Sequence, residues 1–363
     1  MQRMIFANLR RRPLRSAIGV IAVAIEVALI LLLVGLTNGM VQDAHNRLQG
    51  LGADIVVRSA ASSNFLDMSG NTLPVQLAPL IARQPGVAAA TAMAMQVGKG
   101  LTAVGGVNLT SFDAVSGGFH FLAGGPNLGR RTVIVDDLFA DSNHLRVGDR
   151  VQLLGHSFRV AGIFLHGKGS RIFMARGVLD QLIGAPAKAA VVYAKLRPGA
   201  EVTPVVAQLR RLLPGYNVEP MQQYLTLFTA SKIPFLGLFR AVVISVGATI
   251  GFLVIFLSMY TTILERTREI GILKSLGASR FYIVRAILQE TGALAVVGIG
   301  LGIAAAAITR ASLVAANPTL PILLQAAWVG WAALIAIVGA LVGALYPAAH
   351  AAAEDPIAAL AYE

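Results

Sequence analysis

Four long apolar stretches dominate the chain, and each has about the 20 residues that an α-helix needs to cross a bilayer. They run from Ala17 to Leu36, from Ala241 to Met259, from Thr291 to Ile308 and from Ala326 to Ala349. Glu26 is the only charged residue within them. The pattern predicts four transmembrane helices, at residues 17–40, 233–262, 287–309 and 326–349.

The interval between the first two stretches, residues 41–232, has a different pattern. Apolar and polar residues alternate in segments such as RTVIVDD (131–137) and DRVQLLGHSFRVAGIF (149–164), with Gly and Pro between segments. Such alternation predicts half-buried strands, and Gly and Pro mark the turns. The predicted fold class is therefore an integral membrane protein with four transmembrane α-helices and one large extracytoplasmic α+β domain inserted between helices 1 and 2.

Composition agrees with a membrane protein that has an aqueous part. Hydrophobic residues make up 56% of the chain and charged residues 13%, with a mean hydropathy of +0.69, whereas soluble domains carry roughly 25% charged residues. The net charge is +12, but the basic residues are scattered and lack interleaved aromatics, so nucleic acid is not a predicted partner. The chain has no cysteine, which excludes disulfides, Cys-ligated zinc and thiol catalysis.

Basic residues near the helix ends predict the orientation. Five arginines precede the first helix, at positions 3, 10, 11, 12 and 15, and loop 263–286 carries five more basic residues. The short loop 310–325 contains only Arg310. Because cytoplasmic loops carry an excess of Lys and Arg, segments 1–16, 263–286 and 350–363 are predicted in the cytoplasm. Residues 41–232 and 310–325 are predicted outside, and the membrane is taken to be a bacterial cytoplasmic membrane.

Each of the four predicted helices carries a GxxxG pair. The pairs are Gly247/Gly251, Gly298/Gly302, Gly339/Gly343 and, at the end of the first helix, Gly35/Gly39. Small residues at this spacing let helix backbones approach closely in lipid. The pairs predict a tightly packed bundle, although any one of them also arises by chance in a chain rich in Gly and Ala.

The loop between helices 2 and 3 contains the charged segment ERTREIGILKSLGAS, residues 265–279. Ile270, Leu273 and Leu276 form a one-sided apolar stripe, Gly277 is suited to end a helix, and Ser279 is suited to cap the next one. The segment is predicted to be a short amphipathic helix at the cytoplasmic membrane surface. It is either a basic anchor on the lipid interface or a docking element, and an anchor needs neither the two glutamates nor the sharp stop.

Segment 265–279 resembles the signature of the MacB/FtsX family of ABC-transporter permeases. The segments LGADIVV (51–57), SFDAVSGGFHFLAGG (111–125), LRVGDRVQLLGHSFRVAGI (145–163) and DPIAAL (355–360) resemble the same family. The resemblance implies a stand-alone permease that works as a dimer, with each copy docked on a separate cytoplasmic ABC ATPase. A periplasmic membrane-fusion adaptor is a further candidate partner, besides membrane lipids.

The resemblance also implies that this loop is the coupling helix that contacts the ATPase. The contact residues would be Glu265, Arg266, Arg268, Glu269, Ile270, Leu273, Lys274, Leu276 and Gly277. The chain lacks a G-x-x-x-x-G-K-[ST] phosphate loop, so ATP and Mg²⁺ are expected on the partner ATPase and no cofactor on this chain.

Glu26 lies at the middle of the first predicted helix. A charge at the bilayer centre costs about 2.5–3.5 kcal/mol on insertion scales and is a functional hypothesis by default. Gly19, Ala22 and Leu29 share its helix face. Two interpretations stay open: Glu26 bonds a neighbouring helix, or Glu26, Ala22 and Leu29 line a substrate pocket at a dimer seam, where the acid would meet a cationic compound or haem.

The remaining chemistry is sparse. The histidines of residues 41–232 show neither H-x₃-H nor H-E-x-x-H spacing, so no metal site is predicted. No nucleophile motif is present either, and no enzymatic activity is predicted. HGKGSR (166–171) is either a solvated turn or an anion-binding loop, and the alternating Met93 and Met95 are predicted in the core.

These features predict the permease subunit of an ABC-type exporter. It would couple ATP hydrolysis by its ATPase to motion of the extracytoplasmic domain and so expel a hydrophobic small molecule, haem, peptide or lipoprotein. The alternative is an FtsX-like regulator that activates a cell-wall hydrolase without transport. The length of the interval 41–232 argues against that alternative, because division-linked family members carry a smaller outer domain.

Overall fold

A computed structural model describes residues 13–60, 72–98, 102–227 and 234–353. The arginines at positions 3 to 12 and the DPIAAL segment lie outside these ranges. Contacts divide the chain into two compact units. The membrane unit comprises Met1–Asn38, Phe235–Leu313 and Ile322–Glu363, and the inserted unit comprises Gly39–Pro234 and Val314–Pro321.

Within the described ranges, four helices are long and apolar enough to cross a membrane, as the sequence predicts. They are α1 (Pro13–Gln49), α8 (Pro234–Glu265), α10 (Arg280–Ala316) and α11 (Ala326–Ala353). A short helix, α9 (Thr267–Ser275), lies between α8 and α10. In α11, alanines at 332, 336, 340 and 344 recur once per turn and are buried, so this helix presents a stripe of small side chains to the bundle.

Glycines allow close helix contacts in the membrane unit. A Cβ added at Gly298 would lie 2.9 Å from the Val20 carbonyl oxygen, and one at Gly302 would lie 2.7 Å from that of Ala24. The backbones of α10 and α1 therefore touch at the second GxxxG pair. Gly343 approaches the Phe252 carbonyl oxygen of α8 in the same way, whereas the space at Gly339 is open.

The inserted unit is an α+β fold. Its strands are β1 (Ile55–Ser59), β2 (Leu73–Pro74), β3 (Val87–Val97), β4 (Ala103–Val107), β5 (Phe121–Gly124), β6 (Thr132–Asp136), β7 (Arg150–Leu153), β8 (His156–Phe164), β9 (Ile172–Ala175), β10 (Lys188–Ala189), β11 (Val191–Leu196) and β12 (Tyr216–Pro220). Its helices are α2 (Leu77–Ala82), α3 (Leu109–Ser116), α4 (Asp137–Ser142), α5 (Arg176–Ile183), α6 (Val202–Leu212) and α7 (Met221–Leu225).

One large mixed sheet organises this unit. Its strand order is β12-β1-β11-β3-β4-β9-β6-β8-β5, and β7 pairs with β8. The β4/β9 and β6/β8 pairs are parallel, and the other pairs are antiparallel. Helices α2, α6, α4 and α5 pack against one face of this sheet. The end of α1 and helices α3 and α7 cover the other.

Met93 and Met95 are buried in the core that α1, α3 and α7 cover, so the prediction of a core position is confirmed. Ala94, between them on β3, faces the opposite core, as the two-residue period of a strand requires. Phe112, Phe119, Phe164 and Phe173 pack together in the same core as the methionines, with ring centroids 4.8–5.7 Å apart.

Candidate functional site

The charged loop folds as a separate helix with sharp ends. Helix α8 ends at Glu265 and α9 begins at Thr267, so the chain bends at Arg266. Gly277 has a φ of +93°, a backbone conformation that glycine adopts without strain. The Tyr282 amide donates to the Ser279 hydroxyl at 3.2 Å. The predicted stop at Gly277 and cap at Ser279 are therefore confirmed.

Two polar contacts hold α9 against the neighbouring helices. The Arg266 guanidinium lies 3.2 Å from a Glu290 carboxylate oxygen of α10, and both side chains are largely buried. The Lys274 ammonium donates to the Ala352 carbonyl oxygen of α11 at 3.0 Å. Gly271 is buried between these contacts. Arg266 and Lys274, both predicted to contact the ATPase, therefore bind within this chain.

The other side of α9 is exposed to solvent. Glu265, Arg268, Glu269, Leu273 and Leu276 are exposed, and Ile270 is half-buried. Leu276 is 79% exposed, although an apolar side chain of this size usually gains about 1.5–3 kcal/mol on burial. Two further apolar residues that sequence reasoning did not single out, Ile272 and Phe281, are also exposed here. The loop thus presents a mixed apolar and charged surface.

Glu290 is a residue of this site that sequence reasoning missed. It lies 24 residues from Arg266, and no spacing rule pairs the two. A signal was nevertheless present, because Glu290 is the only acid between Glu269 and Glu354. An isolated acid at the start of a transmembrane helix needs a cation.

Glu26 lies in the contact between α1 and α8. It is only 4% exposed, and it packs against Gly247 and Gly251 of α8, where a Cβ at Gly251 would overlap the carboxylate. Among the described residues, one of its carboxylate oxygens, Oε1, has no hydrogen-bond partner. The GxxxG pair of α8 therefore forms a notch that receives this side chain.

The proposed pocket partners of Glu26 are not all beside it. Ala22 is half-buried, whereas Leu29 is 48% exposed and points away from the bundle. A cavity of about 10 Å³ lies between α1, α8 and α10, lined by Gly19, Val23, Ile255, Ser258, Met259, Thr291, Leu294 and Ala295. That volume holds about one water molecule and is too small for haem.

The polar side chains of the HGKGSR loop bind within the inserted unit, although His166 is 49% exposed. His166 lies 3.0 Å from the Asp137 carboxylate, and the Lys168 ammonium donates to the Ser116 carbonyl oxygen at 2.6 Å. The Ser170 hydroxyl donates to the Ala103 carbonyl oxygen at 2.7 Å. The loop is therefore a packed junction.

Arg171 ends this loop at the centre of a buried charge cluster. Its guanidinium donates to Asp43 at 3.0 Å, to Asp136 at 3.1 Å and to the Thr319 carbonyl oxygen at 3.3 Å. Asp136, which is fully buried, also caps α4 by accepting from the Phe139 amide at 2.7 Å. Burial raises the pKa of Asp136 to about 6, although the Arg171 charge acts in the opposite direction.

The described part of the chain contains no group of three or more His, Asp or Glu side chains that could hold a metal ion. The histidines are dispersed. His166 contacts Asp137, and His156 contacts the Leu154 carbonyl oxygen. Within the described chain, the candidate functional sites are therefore Glu26 in the membrane unit and the exposed side of α9.

Two family models match consecutive parts of the chain. Residues 16–212 match a MacB-like periplasmic core domain, and residues 241–356 match an FtsX-like permease C-terminal domain. Together they include α1, most of the inserted unit and the helices that surround α9.

Several known proteins are similar to this chain. An uncharacterized ABC transporter permease of Mycobacterium tuberculosis is 27% identical over 361 residues, which cover 93% of this chain and 94% of that protein. A pyoverdine export ATP-binding/permease protein of Pseudomonas putida is 37% identical over 128 residues, 35% of this chain and 19% of that protein. The solved periplasmic region of MacB from Actinobacillus actinomycetemcomitans is 14% identical. The alignment covers 49% of this chain and 93% of that structure, with a TM-score of 0.39.

Proposed function

Because the chain belongs to the MacB/FtsX family of ABC-transporter permeases, we propose that it is the membrane subunit of an ATP-driven exporter. A separate ATPase binds ATP and Mg²⁺ in the cytoplasm, on the same side as α9 and both termini. Closure of the ATPase pushes on α9, and the movement reaches the inserted unit on the other side of the membrane. The cargo is a hydrophobic small molecule, haem, a peptide or a lipoprotein.

The observation that carries this proposal is the attachment of α9 to two transmembrane helices. The Arg266–Glu290 ion pair ties one end of α9 to α10, and the Lys274–Ala352 bond ties the other end to α11. A force on the exposed side of α9 is therefore passed to two transmembrane helices and is not absorbed by a slack loop. An anchor that only lies on the lipid interface needs no such double attachment.

Export is favoured over a purely regulatory role by two observations. One relative of partial coverage is named a pyoverdine export protein, and Glu26 places an acid inside the membrane unit, which signal transmission alone does not require. The FtsX-like regulator gains no observation of its own from the structure.

A second copy of the chain is part of the proposal. Its support is family membership, because the GxxxG pairs of α8, α10 and α11 already serve contacts within one chain: Gly251 meets Glu26, Gly298 and Gly302 meet α1, and Gly343 meets Phe252 of α8. The partner copy would then use other surfaces, such as the lipid-facing side chains Ile18, Ile21 and Ile25 of α1, which are exposed.

The test is co-purification of the tagged chain with its ATPase from native membranes in a mild detergent. Leu276→Asp places a charge on the exposed side of α9 and is expected to remove the ATPase from the purified complex. Leu122→Asp is the matched control, since Leu122 is 54% exposed but belongs to the inserted unit.

Retention of the ATPase by the Leu276→Asp variant, at the level of the control, would refute α9 as the docking element. Mass spectrometry of the co-purified proteins separates the two functions. A cell-wall hydrolase among them would support the regulator, whereas an adaptor, or the ATPase alone, would support the exporter.

A further inference from the structure

The end of α10 and the start of its connection to α11 belong to the inserted unit. Residues Val314–Pro321 belong to that unit by their contacts. Two hydrogen bonds fix Thr319 from both sides of its backbone: the Thr319 amide donates to the Ser142 hydroxyl at 3.2 Å, and the Thr319 carbonyl oxygen accepts from Arg171 at 3.3 Å.

The same arginine joins two other elements of the unit. Through Asp43 it binds the end of α1, and through Asp136 it binds the junction of β6 and α4. Arg47 also binds Asp43, at 3.1 Å, and the Arg47 carbonyl oxygen accepts from the Gly169 amide at 2.8 Å. The cluster where α1, the sheet and segment 314–321 meet therefore has no net charge, because it contains two arginines and two aspartates (Arg47, Arg171, Asp43 and Asp136).

Burial makes this cluster hard to open. Arg171 is 8% exposed and Asp136 is fully buried. Separation of the pair would leave a buried charge without its partner, which costs far more than the loss of one hydrogen bond to water. A contact of this kind is suited to remain closed and unsuited to act as a gate.

We propose that Arg171 is a positioning residue that ties segment 314–321 permanently to the inserted unit, together with Ser142. Movement of the end of α1 then carries the segment between α10 and α11 with it. The attachment of segment 314–321 is independent of the proposed function, whereas its role during ATP-driven movement rests on the proposed function.

The tie is tested by hydrogen exchange on the full chain, read by mass spectrometry. Prolines at 318 and 321 have no amide, so few amides report on this segment, and Thr319 is the one bonded to Ser142. Ser142→Ala removes its acceptor and is expected to speed its exchange about fivefold, the equivalent of one net hydrogen bond. Arg171→Met is expected to speed exchange of the whole segment.

Arg58→Met is the matched control. Arg58 binds Glu219 at 3.1 Å in the same unit, and removal of this pair should leave the exchange of segment 314–321 unchanged. Peptides of β3 report whether a variant still folds. If Ser142→Ala leaves Thr319 exchange at the wild-type rate, the tie does not exist in solution.

Permanence is tested in the complex with the ATPase. The chain has no cysteine, so Ser142→Cys with Thr319→Cys introduces one defined pair that a disulfide or a short bis-thiol reagent can close. We expect ATP turnover within about twofold of the reduced protein, since the two residues never need to separate. Loss of turnover on closure, reversed by reduction, would overturn the proposal; absence of any bound ATPase would instead refute the proposed function and leave the exchange result standing.

Discussion

Gly251→Ala is the sharpest probe of Glu26. The added methyl group would overlap the Glu26 carboxylate, whereas one at Gly247, a turn away, would lie 3.8 Å from Ile30 and 3.9 Å from Glu26, which are ordinary contacts. Overpacking typically costs about 1–3 kcal/mol. The Ala in place of Gly returns up to about 1 kcal/mol of helix propensity at both positions. Gly251→Ala should therefore be destabilising, and Gly247→Ala neutral or stabilising.

The carboxylate is the predicted cause, so its removal should relieve the clash. In the Glu26→Ala/Gly251→Ala double variant, the non-additive free energy is expected to reach about 0.5–3 kcal/mol, the range for residues in contact. The assay is thermal unfolding of the purified chain in one detergent, followed by fluorescence-detected size exclusion. If Gly251→Ala and Gly247→Ala melt together, and Glu26→Ala rescues neither, Glu26 does not occupy the notch and the pocket interpretation becomes the stronger one.

Three further results are expected. Gly302→Ala should destabilise the membrane unit, because its methyl group would meet the α1 backbone, while Gly300→Ala should not, because the space there is open; melting temperatures of the two variants check this. Arg266→Met and Glu290→Gln should each leave the ATPase bound but lower permease-stimulated ATP turnover several-fold, and the double variant should be no worse than either, since the pair acts as one contact; additive losses would contradict this. The pKa of Asp136 is raised to about 6 from an ordinary 3.8, so protonation of this group stabilises the fold fully below pH 3.8, and the effect is lost as the pH rises through 6. Thermal melts between pH 4 and 7.5 should therefore show a melting temperature that falls more steeply with pH in the wild type than in Asp136→Asn, which keeps the α4 cap. An identical pH dependence in both proteins would refute the assignment.

The features that follow local rules were predictable from the sequence. Apolar length gives the four helices, and the conformational freedom of Gly277 and the hydroxyl of Ser279 give the ends of the helices around them. The α+β class of the inserted unit follows from the alternation along β6 and β8.

Contacts between distant residues were not predictable. The Arg266–Glu290 pair and the Arg171 cluster join residues from different elements, and no periodicity records which cation meets which acid. For the same reason, sequence reasoning assigned Arg266 and Lys274 to a partner surface, whereas they bind within the chain. Glu26 was singled out correctly as unusual, but its neighbours on α8 only become visible when the helices are packed together.

The length of α1 has a consequence for the lipid around the protein. This helix continues without a break for 37 residues, roughly 55 Å at 1.5 Å per residue, while the hydrocarbon core is only about 30 Å thick. The apolar stretch Ala17–Leu36 adapts to a thinner bilayer by tilting. Because α1 continues unbroken from Leu36 to Gln49, roughly 20 Å beyond the hydrocarbon, a tilt of about 10° shifts its end by roughly 3 Å. Acyl-chain length would therefore adjust the resting position of the far end of α1, which makes bilayer thickness a variable to control in any reconstitution of this protein.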